Sequence, residues 1–226
     1  MSKANKSNKA IKYRLYPNDE QKVMFAKTFG CCRFVYNQLL ALQKQRYKDG
    51  ESHLSKLKSN EFATRTLKKD YDFLKEIDKF AVSNAVFHLA DAYDRFFKKQ
   101  NHFPKFKSKR KSKKSYTTNF TNNNILIGKN VIKLPKVGMV KAVIHKLPKD
   151  DWKLKSVTVS QDSVGNYFAS VLFEYEQEDI PSVSKSSTNA IGLDYKSDGL
   201  YMDSNGNKAG VHKYYRESHK KLAKQQ

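Results

Sequence analysis

The spacing of apolar residues changes period twice along this chain, and that limits the folds open to it. Residues 9–16 alternate Ile11, Tyr13 and Leu15 with Lys12 and Arg14, which predicts a strand with a basic outer face. Pro17 ends it. Asn18, followed three residues later by Gln21, forms a capping box, so a helix starts there. Gly30 predicts a break, and a second helix then runs to about Lys48 with Phe34, Val35, Leu39 and Leu42 facing inward. A third helix is expected over about 54–67. The clearest helical pattern runs from about Ile77 to Lys98, where Val82, Ala85, Val86, Leu89, Tyr93 and Phe96 recur at helical spacing. From about residue 116 the period returns to two. Strand candidates lie at 125–127, 131–134, 139–145, 154–160 and 167–176, with hairpin turns at 128–130 and 164–166. Short antiparallel strands at this spacing predict a small β-barrel. The first strand would complete it, making the barrel discontinuous in sequence around a helical insert. Residues 181–188 read as a linker, followed by strands at 190–195 and 199–203, a turn at 204–206 and a basic helical stretch from Tyr214.

Charge narrows the function more than it narrows the fold. Lys and Arg total 44 against 22 Asp and Glu, a formal net charge of +22 over 226 residues. Self-repulsion on that scale opposes compaction and is most simply relieved by a polyanion. Nucleic acid fits, because neutralising phosphates releases counterions and gives strong, salt-dependent binding. A membrane surface is the other polyanion, but no apolar run approaches the ~20 residues needed to span a bilayer, and no basic amphipathic anchor stands out. The first nine residues lack the apolar stretch of a signal peptide, so a cytoplasmic, nucleoid-associated protein is expected. Cys31 and Cys32 are adjacent and no CxxC pair exists, which excludes an ordinary disulfide between them and a zinc ribbon. Both are expected to be small buried residues.

Between 98 and 114 the chain carries nine Lys or Arg residues and no acid. A run of this kind is commonly a solvated linker. Here Phe103 and Phe106 interrupt it, and aromatics among cations suit a surface that follows a phosphate backbone.

The order of pieces resembles the amino-terminal part of the TnpB family, transposon-encoded RNA-guided nucleases thought to be ancestral to the type V CRISPR effectors. The segments that carry the resemblance are 13–17 (YRLYP), 29–37 (FGCCRFVYN), 76–81 (EIDKFA), 92–97 (AYDRFF), 103–106 (FPKF), 115–124 (SYTTNFTNNN), 132–136 (IKLPK) and 191–194 (IGLD). Each is weak alone; the ordered set is specific and covers nearly the whole chain. The resemblance implies an α+β protein: a wedge β-barrel from 1–16 and 116–180, a helical recognition lobe at 17–115, and an incomplete RuvC-type, RNase H-like segment at 189–226. It also implies two partners, a guide RNA and a double-stranded target DNA whose short flanking motif is read by the lobe and the wedge.

RuvC nucleases hold two Mg²⁺ ions with three or four carboxylates. By resemblance Asp194 matches the first. The others lie, in the family, beyond residue 226, as does the zinc ribbon. Asp198 and Asp203 read as turn and hairpin residues, and one carboxylate cannot clamp two ions. The expectation is therefore a nuclease-dead, non-enzymatic chain with vestigial Asp194, needing no cofactor for binding and Mg²⁺ only if a complete RuvC site were supplied. Guide pairing would still carry specificity. The leading reading is an RNA-guided DNA-binding repressor that acts by occupancy. The alternative is an amino-terminal fragment of an active TnpB endonuclease, and a plain double-stranded DNA binder is a third possibility.

By family position, Lys79, Ser83 and Asn84 at the start of the long helix, with Thr121, Asn122 and Asn123, are expected to face the flanking motif. Asn and Lys can hydrogen-bond base edges. Arg14, Arg33, Lys105, Lys107, Arg110, Lys133 and Lys136 are the candidate phosphate contacts, and Phe103 and Tyr116 the candidate base-stacking rings. Phe29, Phe34, Phe80, Phe87, Phe96, Phe97 and Trp152 are assigned to cores.

Overall fold

The computed structural model describes residues 6–176, 191–195, 199–210 and 214–225. Two compact units divide the chain, 1–179 and 180–226. The expected linker at 181–188 and Asp198 lie outside the described residues.

The first unit opens with β1 (Lys6–Tyr16), in which Ile11, Tyr13 and Leu15 are buried and Lys12 is exposed, as the alternation predicts. The capping box at its end is intact. Asn18 accepts from the Gln21 amide at 2.9 Å, and Gln21 Oε1 accepts from the Asn18 amide at 3.1 Å. The helix α1 that follows is continuous from Asp19 to Lys48, and the expected break at Gly30 is absent. Phe25, Phe29, Cys32, Tyr36 and Leu40 form one buried stripe that passes straight across Gly30. Packing along that stripe outweighs the ~1 kcal/mol helix penalty of a single glycine.

Next come α2 (Lys56–Glu61), a wider π-helical turn (Phe62–Leu67), α3 (Lys68–Asp70) and a 3₁₀ turn (Asp72–Lys75). The weak periodicity over 54–67 thus corresponds to a helix that changes pitch. Helix α4 (Lys79–Phe97) buries Ala81, Val82, Ala85, Val86, Leu89 and Tyr93, an almost pure i, i+4 stripe that packs on α1. Cys32 Sγ lies 3.4 Å from the Ala81 carbonyl within that contact. Phe97, expected in the core, is 64% exposed because it lies one turn beyond the buried stripe.

Strands β2 (Lys114–Asn119), β3 (Leu126–Ile127), β4 (Val131–Leu134), β5 (Gly138–Val143), β6 (Lys153–Gln161) and β7 (Tyr167–Glu176) join β1 in a seven-stranded antiparallel sheet ordered β2-β6-β7-β1-β5-β4-β3. β1 is the hinge pin. It pairs with β7 from Lys6 to Leu15 and with β5 only from Arg14 to Tyr16, so it splices two smaller sheets. The expected closed barrel is not formed. β2 and β3 end the order and do not pair with each other among the described residues, and α1 and α4 pack against β2 instead. The remaining fold class, helices plus an antiparallel sheet split in sequence, is as the periodicities predict.

The second unit comprises β8 (Leu193–Tyr195), β9 (Tyr201–Asp203), β10 (Lys208–Ala209) and α5 (Tyr214–Gln225), the strands in the order β10-β9-β8.

Candidate nucleic-acid interface

The start of α4 is fastened to β2 by buried polar bonds. Asp78, the N-cap, is 7% exposed and accepts from the Ala81 amide at 3.3 Å and from the fully buried Thr118 hydroxyl at 2.7 Å. One turn on, the Asn84 side-chain amide donates to the Phe80 carbonyl at 2.9 Å, the Thr117 carbonyl at 3.0 Å and Asn119 Oδ1 at 3.2 Å. This fastening fixes the first residue of the helix, Lys79, at the mouth of a cleft of about 410 Å³.

Two loops form the other wall. In the first, the Thr121 amide donates to Asn124 Oδ1 at 2.8 Å, and Asn124 Nδ2 donates to the Asn119 carbonyl at 2.9 Å. These bonds hold Asn122 and Asn123 in the left-handed region, at φ 47° and 54°, a conformation that asparagine tolerates. In the second, the β4–β5 turn, Lys136 is also left-handed at φ 65°. Lysine has no such tolerance, and the conformation costs about 1–2 kcal/mol. Lys136 is exposed and lines the cleft.

The cleft therefore gathers Lys79, Thr121, Asn122 and Lys136 from three distant parts of the sequence, and adds Lys68 and Lys75, which sequence reasoning missed. Lys75 is neutralised by Asp72. Lys68, Lys79 and Lys136 have no ion-pair partner among the described residues. Burial pushes the Lys68 pKa down; Asp78 opposes this, and the nearby Lys79 and Lys136 charges add smaller downward pushes. An anion in the cleft would relieve that repulsion.

A second basic surface lies on the sheet face opposite the core. The Lys12 ammonium sits 4.2 Å from the Phe168 ring centroid, and the Arg14 guanidinium lies 5.0 Å from Phe168 and 5.5 Å from Tyr16. Arg14 donates from Nη2 to Asn166 Oδ1, and its Nε is buried without a protein partner. Lys12 belongs to the basic outer face expected of β1, whereas Phe168 was not singled out from sequence, although its alternation with the core residues of β7 was the available signal.

The basic run is anchored, not loose. The Lys107 amide donates to Asn37 Oδ1 at 2.8 Å, Asn37 Nδ2 donates to the Lys107 carbonyl at 2.9 Å, and Pro104 is buried. Ser108 and Ser112 close a turn that presents Lys109 and Arg110 to solvent. Lys105, Arg110 and Lys133 are exposed, whereas Arg33 is half-buried on α1.

The structure places five of the chosen residues differently from expectation. Tyr116 is 3% exposed, packed against Phe25 and Phe29 with its hydroxyl buried and unpartnered, so it offers no ring face to a base. Asn84 spends its amide hydrogens on α4 and β2 and acts as a positioning residue. Lys107 holds its ammonium 4.0 Å over the Tyr36 ring, where burial pushes its pKa down. Ser83 is half-buried, and neither it nor Asn123 lines the cleft. Phe103 is 39% exposed, but in a different cleft.

Asp194 lies on β8, exposed, opposite Met202. Asp203 is opposite Leu193, so the two carboxylates emerge on opposite faces of the hairpin. Asp203 is also committed to its own turn, accepting from the Asn205 amide at 2.9 Å and the Asn207 amide at 2.8 Å. Among the described residues no group of three His, Cys, Asp or Glu side chains converges on a metal position. Asp194 alone does not fit a pair of Mg²⁺ ions. No described helix is long and apolar enough to cross a membrane.

A family model described as a helix-turn-helix domain, HTH_OrfB_IS605, matches residues 7–52. Over 220 residues the chain is 30% identical to a Streptomyces pristinaespiralis protein provisionally named an RNA-guided DNA endonuclease, covering 96% of this chain and 53% of that protein. It is 28% identical over 224 residues to InsQ of Escherichia coli (strain K12), which carries the same provisional name, covering 96% of this chain and 52% of InsQ. The chain belongs to the TnpB family. It spans about half the length of those two TnpB-type relatives. A third relative, the virulence protein VsdF of Salmonella dublin, is 32% identical over 111 residues, 45% of this chain and 93% of VsdF. A solved Cas12f1 chain, from a cryo-EM complex with sgRNA and target DNA, aligns over 97% of this chain and 61% of its own, at 12% identity and a TM-score of 0.40. In this TnpB-family chain the segment matched as helix-turn-helix is β1 followed by the single unbroken helix α1.

Proposed function

We propose that the chain is an RNA-guided DNA-binding protein that reads a short motif beside its target with the cleft at the start of α4. The observation that carries this reading is the gathering of Lys68, Lys79 and Lys136, unpaired, around a strained loop and a fastened helix start. Lysine ammoniums and the Thr121 and Asn122 polar groups can contact phosphates and base edges, while guide pairing supplies the longer specificity. The relatives' names agree in kind.

We further infer that the 226-residue chain alone does not cut DNA and acts by occupancy, as a repressor does. What supports this is that Asp194 has no converging carboxylates among the described residues. The second reading, a part of an endonuclease whose remaining RuvC and zinc-ribbon portions are supplied elsewhere, is favoured by the extra length of the relatives.

The experiment is purification with sequencing of bound RNA, followed by a mobility shift on target DNA with and without that RNA, in Mg²⁺. Guide-dependent retention of intact DNA is expected. Preparations free of RNA, with no guide-dependent shift, would sink the recognition reading. Cleavage by the chain alone would sink the occupancy reading, and cleavage only after adding a distal polypeptide would favour the second reading.

A further inference from the structure

We propose that a second cleft, built where the last turns of α1 and α4 meet residues 103–106, binds an unpaired nucleobase of a nucleic-acid strand. This rests on the nucleic-acid reading above only in taking a polynucleotide as the partner; its residues are separate from those of the flanking-motif cleft. The volume is about 830 Å³, inside the ~300–1,000 Å³ typical of sites for small ligands.

The cleft has partly exposed rings. Phe97 is 64% exposed, Phe106 53% and Phe103 39%. Large aromatics are left open to water here although the neighbouring α4 stripe is fully buried, so the exposure is not a shortage of core. The orientation of Phe103 is fixed from behind. Its centroid is 5.6 Å from Tyr93 at an interplanar angle of 88° and 5.3 Å from Phe96 at 83°. Edge-to-face contacts of this kind hold a ring in one orientation.

The cleft also carries positive charge that no acid of the described residues pairs. The Lys44 ammonium lies 5.5 Å from the Phe103 centroid and 4.9 Å from that of Phe106. Lys48 lines the same cleft, and neither lysine has an ion-pair partner among the described residues. The one acid in the lining, Glu51, is taken by Arg46. Exposed Lys98, Lys99 and Lys105 extend the cationic surface away from it. An apolar protein segment would satisfy the rings and leave these ammoniums uncompensated. A nucleotide presents a flat π-face and an anionic phosphate together, and so satisfies both. Cationic tracks with interleaved rings are the general means of holding single strands, and stacking there tolerates any base.

The test uses a short single-stranded RNA carrying one 5-iodouracil, and an abasic strand of the same length and charge, titrated against the full chain and its variants. Photocrosslinks are expected at 97–106, with the intact strand bound more tightly than the abasic one. Phe106→Ala, at an exposed position, should cost the intact strand about tenfold in affinity and leave the abasic strand unchanged, while Phe106→Trp retains binding. Equal affinity for the two strands in the native chain, unaltered by Phe106→Ala, overturns this inference and leaves the nucleic-acid reading standing. Failure to bind either strand overturns both. A concentration-dependent dimer that Phe97→Ser abolishes, with no crosslink in the cleft, would assign the cleft to a second copy and overturn it as well.

Discussion

Lys136 is where stability and binding pull on a single residue in opposite directions. Its left-handed backbone costs about 1–2 kcal/mol that glycine would not incur, while glycine's extra freedom in the unfolded chain costs about 0.5–1 kcal/mol. Lys136→Gly should therefore raise the unfolding free energy by roughly 0.5–1 kcal/mol, read by urea titration. The same substitution removes one phosphate-neutralising ammonium, so the dependence of log K on log salt should become shallower by about 0.9 for duplex DNA. A variant that is more stable and binds as before would free Lys136 from any part in the site. The adjacent cysteines make a contrasting case, because their chemistry is silenced. Burial pushes the Cys32 thiol up to about 12 and raises Cys31 as well. Since the thiolate is the nucleophile, both should react with a disulfide reagent at neutral pH only after denaturant is added. Rapid labelling of the native chain would mean that the α1–α4 contact opens readily.

Helix α1 shows how far an element can be read without its surroundings. The capping box at Asn18 and the stop near Asp49 follow from local chemistry, and both are found. Gly30 misleads because its local cost is real but smaller than the burial of Phe29 and Cys32 beside it, which only the partner helix reveals. A β-carbon at Gly30 would meet only the mobile end of Arg33, at 3.9 Å. Gly30→Ala should thus stabilise the fold by about 0.5–1 kcal/mol, measured by urea titration; destabilisation would show that α1 is interrupted in solution. Strand β2 went unpredicted for a related reason: Ser115, Thr117 and Asn119 resemble a polar loop until β6 pairs with them and Tyr116 and Thr118 turn inward. The candidate site was legible in its residue types but not in its assembly. Lys79, Thr121, Asn122 and Lys136 were chosen individually, whereas Lys68 gives no signal in one dimension because it enters the cleft from a helix whose pitch has just changed. Asn84 and Tyr116 were misjudged since only the tertiary structure shows whether a polar tip or a ring face is already in use.

At the scale of the molecule, +22 is both the reason to expect a polyanion and a burden on the free chain. The ion pairs found do not lift that burden: Lys22–Asp19, Lys27–Glu76 and Lys56–Asp91 are exposed contacts, each worth about 0–1 kcal/mol, and acids are outnumbered two to one. Salt weakens such pairs and also screens the repulsion among the remaining cations, so the sign of its effect on stability identifies which prevails. Two cationic clefts and the Lys12–Arg14 face concentrate like charges. Repulsion should therefore prevail, and the melting temperature should rise as salt is increased from low ionic strength. A multivalent anion that binds the folded state should raise it further, by mass action, at concentrations where simple salt has little effect. Inorganic polyphosphate is the probe, since it carries charge without bases. Lys79→Glu with Lys136→Glu should reduce the polyphosphate effect more than a paired substitution on exposed, isolated lysines such as Lys129 and Lys149. A melting temperature that falls with salt would mean that the native ion pairs outweigh the repulsion, and the case for a polyanion based on charge alone would fail with it.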